Sequence, residues 1–351
     1  MARNNLSFIR RSLLRWYDRS HRDLPWRRTR DPYAIWIAET MLQQTQVTTV
    51  VAYYERFLKA FPTVEGLDRA PLRRVLALWS GLGYYRRAEN LKRSARKLVR
   101  VHKGKLPQTY EALCDLPGVG DYTAGALLSI AFGKPYPAID GNARRVLGRI
   151  FALSAERKIR DVASRIVPAL RPGYFNQGLM ELGARICVAK KPRCPECPVA
   201  SACKTRATKR TFVVKKTRVF KNVTWPLGIV RSRGAILLRH RSRCGILAGL
   251  WELPGGEKIP GESLAANIRR HLQTLPANLV VPKRIGEIRH NITNRKIRSP
   301  IFLFDQRAAT RMDNPGPDWR WLSPSSLYRF PVSSMTLKAA KVLATYDETS
   351  L

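Results

Sequence analysis

The sequence has few acidic residues, few cysteines and no long hydrophobic run. Its 351 residues include 25 Asp and Glu against 64 Lys and Arg, which gives a formal net charge of +39 at pH 7. No apolar segment approaches the roughly 20 residues that cross a bilayer, which argues against an integral membrane protein. The six cysteines are too few for a secreted disulfide scaffold of this length. A globular chain this basic is typical of a polyanion binder, so we expect a nucleic acid partner.

The pattern of the chain predicts two domains joined by a basic segment. Hydrophobic residues make up 44% of the sequence, enough to give each domain a buried core. Residues 1–203 are predicted to be almost entirely helical, with helices over 1–22, 31–61, 71–80, 86–102, 109–115, 122–132, 141–152, 161–170 and 174–185. Residues 204–225, which include no Asp or Glu, are predicted to be a linker. Residues 226–351 are predicted to form an α+β domain, with strands at 227–230, 235–238 and 300–304 and helices near 263–274 and 336–346.

Four cysteines lie close together near the end of the helical region. Cys187, Cys194, Cys197 and Cys203 have the spacing C-x6-C-x2-C-x5-C. Four thiolates on one short segment can bind a tetrahedral metal ion or an iron–sulfur cubane. The spacing alone favours neither zinc nor iron–sulfur, and two disulfides do not suit a chain that we expect to be intracellular.

The segment Leu116-Pro117-Gly118-Val119-Gly120 separates two predicted helices. A glycine-rich hairpin that opens a helix directs backbone N–H groups outward, which suits a DNA phosphate and ignores base identity. The alternative is an ordinary turn between two helices. The basic composition and the cysteine cluster favour the DNA-binding interpretation.

Two carboxylates are candidates for acid–base chemistry. Glu39 lies at helical spacing from Ile35 and Leu42, on the apolar stripe of its predicted helix. Apolar surroundings raise the pKa of a carboxyl, which suits a general acid near neutral pH. The alternative is a glutamate at the edge of the stripe that reaches water. Asp140 precedes a helix start and is predicted to be an N-cap, a role that is compatible with stabilising a nearby cation.

These motifs resemble those of the MutY-type adenine DNA glycosylases, a family of the helix–hairpin–helix superfamily. The resemblance covers about residues 6–204, and it extends less closely to the family's C-terminal Nudix-like domain. The motifs that carry it are Asp31-Pro32-Tyr33, Ile37-Ala38-Glu39-Thr40-Met41-Leu42-Gln43-Gln44-Thr45-Gln46-Val47, Gly81-Leu82-Gly83-Tyr84-Tyr85, 116–122, Ile139-Asp140-Gly141-Asn142 and the four cysteines.

The resemblance implies a mostly α N-terminal glycosylase region, built from a six-helix barrel and an iron–sulfur domain, followed by an α+β Nudix-like domain. It implies a monofunctional enzyme that removes adenine paired with 8-oxoguanine or guanine in double-stranded DNA, with a 4Fe–4S cluster on the four cysteines. The hairpin residues Leu116, Gly118, Val119 and Gly120 are then expected to bind DNA. We expect a monomer, located in the cytoplasm and nucleoid if the source is a bacterium.

Residue roles follow from the same resemblance. Glu39 would protonate adenine N7, Asp140 would stabilise the sugar cation, and Tyr122 and Asn142 would assist on the sugar side. Gln44 and Tyr84 match residues that enter the base stack. The residues that match the adenine pocket are Leu24, Trp26, Arg27, Val47, Arg22 and Glu181.

Other functions predict different residues. A bifunctional endonuclease III-like enzyme has a lysine nucleophile where this chain has Tyr122. A thymine or uracil mismatch glycosylase does not call for an acid such as Glu39. A non-enzymatic DNA-binding or iron–sulfur protein needs neither Glu39, Tyr122 nor Asp140.

The C-terminal domain begins a Nudix-like motif at 249–256 but does not continue it. Glu262 and Arg270 align with positions of the Nudix motif. The later positions, which are acidic in that motif, hold His271, Thr274 and Leu275 here. Because nucleotide hydrolysis there needs several glutamates around Mg²⁺, we predict a catalytically silent lesion-recognition domain. The family's recognition loop, His-x-Phe-Ser-His, aligns with 290–294, where Ile292, Thr293 and Asn294 replace Phe, Ser and the final His; these three residues are expected to contact 8-oxoguanine. The alternative is that 290–294 is an ordinary turn and that recognition lies elsewhere.

Overall fold

The computed structural model describes residues 2–208, 219–242, 245–272, 282–305 and 316–349. Within these ranges, no helix combines the length and the apolar character needed to span a bilayer. The chain forms two compact units, Met1–Arg69 with Asn90–Lys216, and Ala70–Glu89 with Thr217–Leu351. The segment 70–89 thus belongs to the unit that contains the C-terminal region, although it lies within the predicted helical region. The domain boundaries at 203 and 226 stay a prediction.

The helices of the described residues follow most of the predicted ones. They are α1 (Ala2–Ser20), α2 (Pro32–Leu42), α3 (Val47–Ala60), α4 (Val64–Arg69), α5 (Leu72–Trp79), α6 (Arg86–His102), α7 (Tyr110–Cys114), α8 (Asp121–Ala126), α9 (Gly141–Phe151), α10 (Glu156–Ile166), α11 (Pro172–Arg185), α12 (Lys204–Thr208), α13 (Leu264–His271) and α14 (Ser334–Thr349). A π-helical turn, Leu127–Ala131, continues α8. The mostly helical N-terminal region and the α+β C-terminal region are confirmed.

The predicted single helix over 31–61 is wrong, because the chain breaks between α2 and α3. The break spans 43–46, and Gln44 in it has a left-handed φ of +59°. The apolar residues of α2 and α3 continue on both sides of the break, and its four residues are close to one helical turn of 3.6. Periodicity alone therefore does not detect it.

The helix predicted over 161–170 is shifted, and α10 instead spans Glu156–Ile166. Pro168 accounts for the earlier end, since a proline disfavours helical backbone in the residue before it. The start at Glu156 adds a turn that the prediction missed.

The first unit packs its helices around apolar side chains. Residues of α1, α9, α10 and α11, among them Leu13, Val146, Ile159 and Leu179, share one buried cluster. Helix α2 is buried from Tyr33 to Met41 and begins at Asp31, whose carboxylate accepts the backbone N–H groups of the first turn. A helix buried on all sides fixes each of its side chains, including Glu39.

The second unit is built on a mixed β-sheet. Its strands are β1 (Lys221–Thr224), β2 (Leu227–Ser232), β3 (Ala235–His240), β4 (Trp251–Glu252), β5 (Lys283–Ile292), β6 (Arg295–Asp305) and β7 (Trp319–Leu322). Strands β1 and β2 pair in parallel with β6, whereas β5 pairs antiparallel with it. Strand β3 pairs antiparallel with β2, β4 and β7. The sheet has two separate apolar clusters. Side chains of α14 belong to one cluster, and Ile268 of α13 belongs to the other.

Only part of this sheet was predicted from the sequence. Strands β5 and β6 form a long hairpin of which 300–304 alone was expected, because charged residues such as Arg295 and Lys296 mask the alternation. Helix α12 and strand β1 lie within the predicted linker, of which 209–218 is outside the described residues.

Candidate active site

A cavity of about 630 Å³ opens among helices of the first unit. It lies at the end of α2, at the starts of α8 and α9, and along α11. Its lining includes all of the predicted catalytic and pocket residues, together with two of the predicted DNA-binding residues, Gln44 and Gly120. The catalytic and pocket residues are Arg22, Leu24, Trp26, Arg27, Glu39, Val47, Tyr122, Asp140, Asn142 and Glu181.

Glu39 is the buried acid of this cavity, with a relative exposure of 5%. The Tyr122 hydroxyl donates a hydrogen bond to its Oε2 at 2.5 Å. Burial raises the pKa of Glu39 to about 7; the Tyr122 hydrogen bond opposes this rise, and the nearby charge of Asp140 adds to it. A carboxyl with this pKa holds a proton in a substantial fraction of molecules at neutral pH.

Asp140 is the N-cap of α9, as predicted. Its Oδ1 accepts the Ala143 backbone N–H at 2.7 Å, and its Oδ2 accepts the Asn142 amide at 2.9 Å. Burial raises the pKa of Asp140, and these hydrogen bonds oppose the rise. Arg145 donates to Asn142 Oδ1 at 2.8 Å and to the carbonyl oxygens of Gly183 and Cys187. The side chain of Asn142 is therefore held between Asp140 and Arg145.

Glu181 forms an ion network on the opposite wall. Arg22 donates to both of its carboxylate oxygens at 2.8 Å, and Arg27 donates to Oε2 at 2.8 Å. Burial works against ionisation of Glu181, but hydrogen bonds from Arg22 and Arg27 outweigh it and lower the pKa to about 2. Glu181 is thus an ionised structural carboxylate that fixes two arginines at the cavity.

The apolar part of the lining is formed by the predicted pocket residues Leu24, Trp26 and Val47. Leu24 and Trp26 are buried. The Trp26 ring meets Tyr54 edge-on, with ring centroids 5.4 Å apart and an interplanar angle of 80°. Trp26 therefore belongs both to the core and to the cavity wall.

Several lining residues were not predicted. Gln177, Met180 and Ala184 lie on α11 beside Glu181, at the 3- and 4-residue spacing of one helix face. The Met180 sulfur lies 3.5 Å from the Tyr122 hydroxyl. The helical spacing around Glu181 was the signal that could have identified them.

The glycine hairpin separates into buried and exposed positions. Leu116 and Val119 are buried, whereas Gly118 and Gly120 are exposed. Gly118 has φ +82°, and a Cβ there would lie 2.8 Å from the Cβ of Asn90. Only glycine fits this position, so the hairpin presents backbone rather than side chains.

Gln44 and Tyr84 share an unusual backbone conformation. Both have positive φ, +59° and +50°, and both side chains are exposed. Tyr84 belongs to the second unit. Left-handed backbone is uncommon at non-glycine residues, but eight of the described non-glycine residues have it, so the conformation by itself assigns no function.

The four predicted metal-binding cysteines line one cavity of about 260 Å³. None of the four forms a disulfide, and burial raises the pKa of Cys197 to about 11. Arg149 lies 3.3 Å from the Cys187 sulfur and donates to backbone carbonyl groups of the same loop. Among the described residues, no three His, Cys, Asp or Glu side chains are placed as ligands of a single metal ion. The sulfur atoms nevertheless share one cavity, and that donor set fits a thiolate-bound metal centre.

In the second unit, residues of the Nudix-like motif contact other residues of the same unit. Glu262 accepts hydrogen bonds from Arg270 and from Asn267, both at 2.8 Å. His271 packs so closely on Gly256 that a Cβ there would lie 2.3 Å from its Nε2. Thr274 and Leu275 lie outside the described residues.

The predicted lesion-recognition residues lie at the tip of the β5–β6 hairpin. Thr293 and Asn294 form the turn and are exposed, whereas Ile292 packs against the sheet core. Thr293 has φ +54°, and its hydroxyl donates to the Ile292 carbonyl oxygen at 2.7 Å. The two turn residues are therefore available to a ligand, and Ile292 is partly engaged in the core.

Comparisons with known proteins agree with this architecture. Residues 37–169 match the HhH-GPD superfamily of base excision DNA repair proteins, and residues 227–341 match the NUDIX domain. A solved thermostable thymine-DNA glycosylase is 32% identical, with a TM-score of 0.56, and the similarity covers 59% of this chain and 99% of that one. The fold and the cavity define a helix–hairpin–helix DNA glycosylase with an attached Nudix-like domain.

Sequence similarity to relatives over nearly the whole chain identifies the family. The adenine DNA glycosylase of Homo sapiens is 34% identical over 95% of this chain and 73% of its own. That of Rattus norvegicus is 35% identical over 98% of this chain and 79% of its own. The chain belongs to the adenine DNA glycosylase family.

Proposed function

We propose that this protein hydrolyses the N-glycosidic bond of adenine paired with 8-oxoguanine or guanine in double-stranded DNA, as a monomer and without cutting the strand. The observation that carries the proposal is the pairing of Glu39, a buried carboxyl with a pKa of about 7, with Asp140 in one cavity. Cleavage of a glycosidic bond needs a proton donor for the leaving group and a negative charge beside the sugar cation.

Glu39 supplies the proton. Adenine, turned out of the duplex into the cavity, receives the Glu39 proton on N7, and the C1′–N9 bond then breaks with its electrons passing to the base. The Tyr122 hydroxyl, 2.5 Å from Glu39 Oε2, holds the carboxyl in place and stabilises it after the proton has left.

Asp140 stabilises the positive charge that develops on the sugar. The Ala143 N–H and the Asn142 amide hold its carboxylate in a fixed position at the start of α9. Water completes the hydrolysis at C1′, and Asn142 orients it in this proposal. Fixed charges of this kind stabilise a transition state without a reorganisation cost.

DNA is bound by the basic surface, by the backbone of the 116–120 hairpin and by the exposed side chains of Gln44 and Tyr84. The net charge of +39 supports a strong phosphate contribution. Gln44 and Tyr84 enter the base stack beside the flipped adenine. Leu24, Trp26 and Val47 contact the base itself, and Thr293 and Asn294 recognise 8-oxoguanine, with Ile292 supporting their turn.

A lyase step and a pyrimidine substrate are the alternatives to test. None of the described residues that line the cavity is a lysine, which supports hydrolysis without strand cleavage. The similarity to a thymine-DNA glycosylase gives the pyrimidine alternative a specific basis. Glu39 favours adenine, because its proton has an acceptor in N7 of the purine ring.

The deciding experiment measures base release from duplexes that contain A opposite 8-oxoguanine, G, C or T, together with T·G and U·G. We expect adenine release opposite 8-oxoguanine and G, with strand breaks only after alkali. Release of thymine or uracil but not adenine would refute the proposal. Efficient trapping of a covalent complex with borohydride would refute the monofunctional mechanism.

Cys187, Cys194, Cys197 and Cys203 hold a 4Fe–4S cluster in this proposal. The cluster would cross-link the loop and so stabilise it. Protein purified from iron-replete cells should be brown and contain about four irons per chain. Stoichiometric zinc in the same preparation would refute the assignment.

A further inference from the structure

The loop that carries Tyr84 is part of the unit that contains the Nudix-like domain. Residues 70–89 lie inside the glycosylase family match, yet they fold with 217–351. Helix α5 of this segment packs against the short 3-10 helix Pro324–Arg329. Contacts between the Tyr84 loop and the C-terminal residues are therefore contacts within one compact unit.

The backbone carbonyl of Val332 is a shared acceptor between the two parts. The carbonyl oxygen of Val332 accepts hydrogen bonds from the Ser80 hydroxyl at 3.0 Å and from the Tyr85 hydroxyl at 2.9 Å. The Tyr85 oxygen also accepts the Gly81 N–H at 3.1 Å, and Ser334 donates to the Gly81 carbonyl oxygen at 3.3 Å. Ser80 and Tyr85 are each 7% exposed, so both hydrogen bonds are shielded from water. We call Ser80, Tyr85 and Val332 the Val332 contact.

On one side, the Val332 contact adjoins a tightly held Tyr84. The Arg87 guanidinium lies 5.3 Å from the centre of the Tyr84 ring and 5.4 Å from that of Trp79. Arg87 is 8% exposed and donates to the Gly83 carbonyl oxygen, which also accepts the Trp79 indole N–H. The exposed Tyr84 ring is thus supported by a buried cation and fixed backbone.

On the other side, the contact continues into the sheet and α14. The Trp251 N–H donates to the Pro331 carbonyl oxygen at 2.8 Å, which ties the 331–333 segment to β4. The Ser333 hydroxyl then accepts the Thr336 N–H in the first turn of α14.

Helix α14 in turn contacts strand β5. Lys338 of α14 donates to the Arg289 carbonyl oxygen at 3.1 Å, and Val342 packs against Gly286. Strand β5 ends at the Thr293–Asn294 turn. A continuous series of hydrogen bonds and packed side chains therefore connects Tyr84 with the exposed hairpin tip.

We propose that the Nudix-like domain positions Tyr84 through the Val332 contact, so that Ser80 and Tyr85 act as positioning residues for discrimination of the base opposite adenine. This inference rests on the proposed function, in which Tyr84 enters the base stack and the 293–294 turn contacts 8-oxoguanine. Two shielded hydrogen bonds on one carbonyl fix its position relative to both donors, and removing them leaves a buried acceptor without these partners.

The contact itself can be tested without DNA. We would compare hydrogen–deuterium exchange of peptides covering 79–88 in the full-length wild type and in the double variant Ser80→Ala/Tyr85→Phe. Tyr328→Phe is the matched control, because it removes a tyrosine hydroxyl from an exposed position of the same unit. Exchange in 79–88 should rise by about tenfold in the double variant only, the scale of one to two lost hydrogen bonds.

The consequence for recognition is measured by single-turnover excision from A·8-oxoguanine and A·G duplexes. The preference for A·8-oxoguanine should fall by about tenfold in the double variant, with a smaller loss in Tyr85→Phe alone. A duplex with 2-aminopurine beside the lesion should also lose the fluorescence increase that unstacking by Tyr84 produces. The control variant should match the wild type in all three measurements.

The outcomes separate this inference from the proposed function. A wild-type protein that releases adenine from neither duplex would refute the proposed function, while the exchange comparison would still decide whether the contact holds the loop. If the wild type prefers A·8-oxoguanine and the double variant keeps that preference, the positioning role is refuted. Unchanged exchange in 79–88 would refute the contact as the restraint on the loop.

Discussion

Each unit of the molecule contains a glutamate whose pKa is raised by burial, and the comparison of the two separates the proposed acid catalyst from a carboxylate held in an ion pair. Burial raises the pKa of both Glu39 and Glu252 to about 7. Glu39 accepts its hydrogen bond from the neutral hydroxyl of Tyr122, whereas Glu252 accepts two from the Arg241 guanidinium, at 2.7 and 3.0 Å. The two carboxyls thus share a raised pKa and differ in their partners, which are a neutral hydroxyl at Glu39 and a guanidinium that favours the ionised form at Glu252.

The same contrast extends to the surroundings of each glutamate. Glu39 lines a cavity large enough for a base. In the second unit Glu262 is also paired with an arginine, Arg270, so two acidic residues of the Nudix-like domain are used in ion pairs. A raised carboxyl pKa therefore indicates function only where the carboxyl lines a cavity that can hold a proton acceptor.

The sharpest test of this contrast replaces each glutamate by glutamine. Glu39→Gln should lower the single-turnover rate of adenine excision by about a thousandfold or more, because the proton donor is lost while the shape is kept. Glu252→Gln should leave that rate unchanged. Both variants should bind mispaired DNA, as measured by fluorescence anisotropy.

The folding of both variants is checked by the free energy of unfolding in urea. A Glu39→Gln protein that is well folded and excises adenine at the wild-type rate would remove Glu39 from the mechanism. A large loss of excision rate in Glu252→Gln without a loss of stability would contradict the structural role of Glu252.

The next largest effect concerns Glu181, the cavity carboxylate that does not act as an acid. Its pKa is lowered to about 2, so the stability that its ionised form provides is complete above about pH 4.5 and is lost as the pH falls towards 2. Glu181→Gln should lower the free energy of unfolding at pH 7 by about 3 kcal/mol, because Arg22 and Arg27 lose their partner. Urea titrations should show a smaller difference from the wild type at about pH 3. A difference that is independent of pH would contradict the ionised state of Glu181.

Local patterns pointed to Glu39 and Asp140, whereas the other predicted site residues came from the family resemblance. The stripe around Glu39 and the cap at Asp140 depend on residues three or four positions away, which a sequence displays directly. The membership of the Tyr84 loop in the second unit depends instead on Ser80 and Val332, which are 252 positions apart. No helical or strand period extends over that separation, so only the folded chain reveals the contact.

The pH dependence of excision would sharpen the role of Glu39 itself. Since the protonated form is the donor, the single-turnover rate should fall as the pH rises through about 7, by about tenfold for each further pH unit. The Tyr122 hydrogen bond lowers the pKa of Glu39, so Tyr122→Phe should move this decline to higher pH as well as reduce the rate. The measurement is a rate profile between pH 6 and about 9 for both proteins, which spans the pKa of Glu39. A flat wild-type profile would contradict protonation by Glu39.

The smallest expected effect lies at the hairpin tip of the second unit, where recognition rather than catalysis is at stake. Thr293→Ala should reduce the preference for A·8-oxoguanine over A·G by about 1 kcal/mol, the contribution of one hydrogen bond, and should leave excision from A·G nearly unchanged. A β-branched residue at φ +54° is strained, and alanine relieves part of that strain while it removes the hydrogen bond of the hydroxyl to the Ile292 carbonyl oxygen. Thr293→Ser keeps the hydroxyl and is the matched control. Deletion of residues 226–351 is a weaker test, because it would also remove Val332 and with it the partner of the Tyr84 loop. An unchanged preference in Thr293→Ala would transfer lesion recognition to Asn294 or to the first unit.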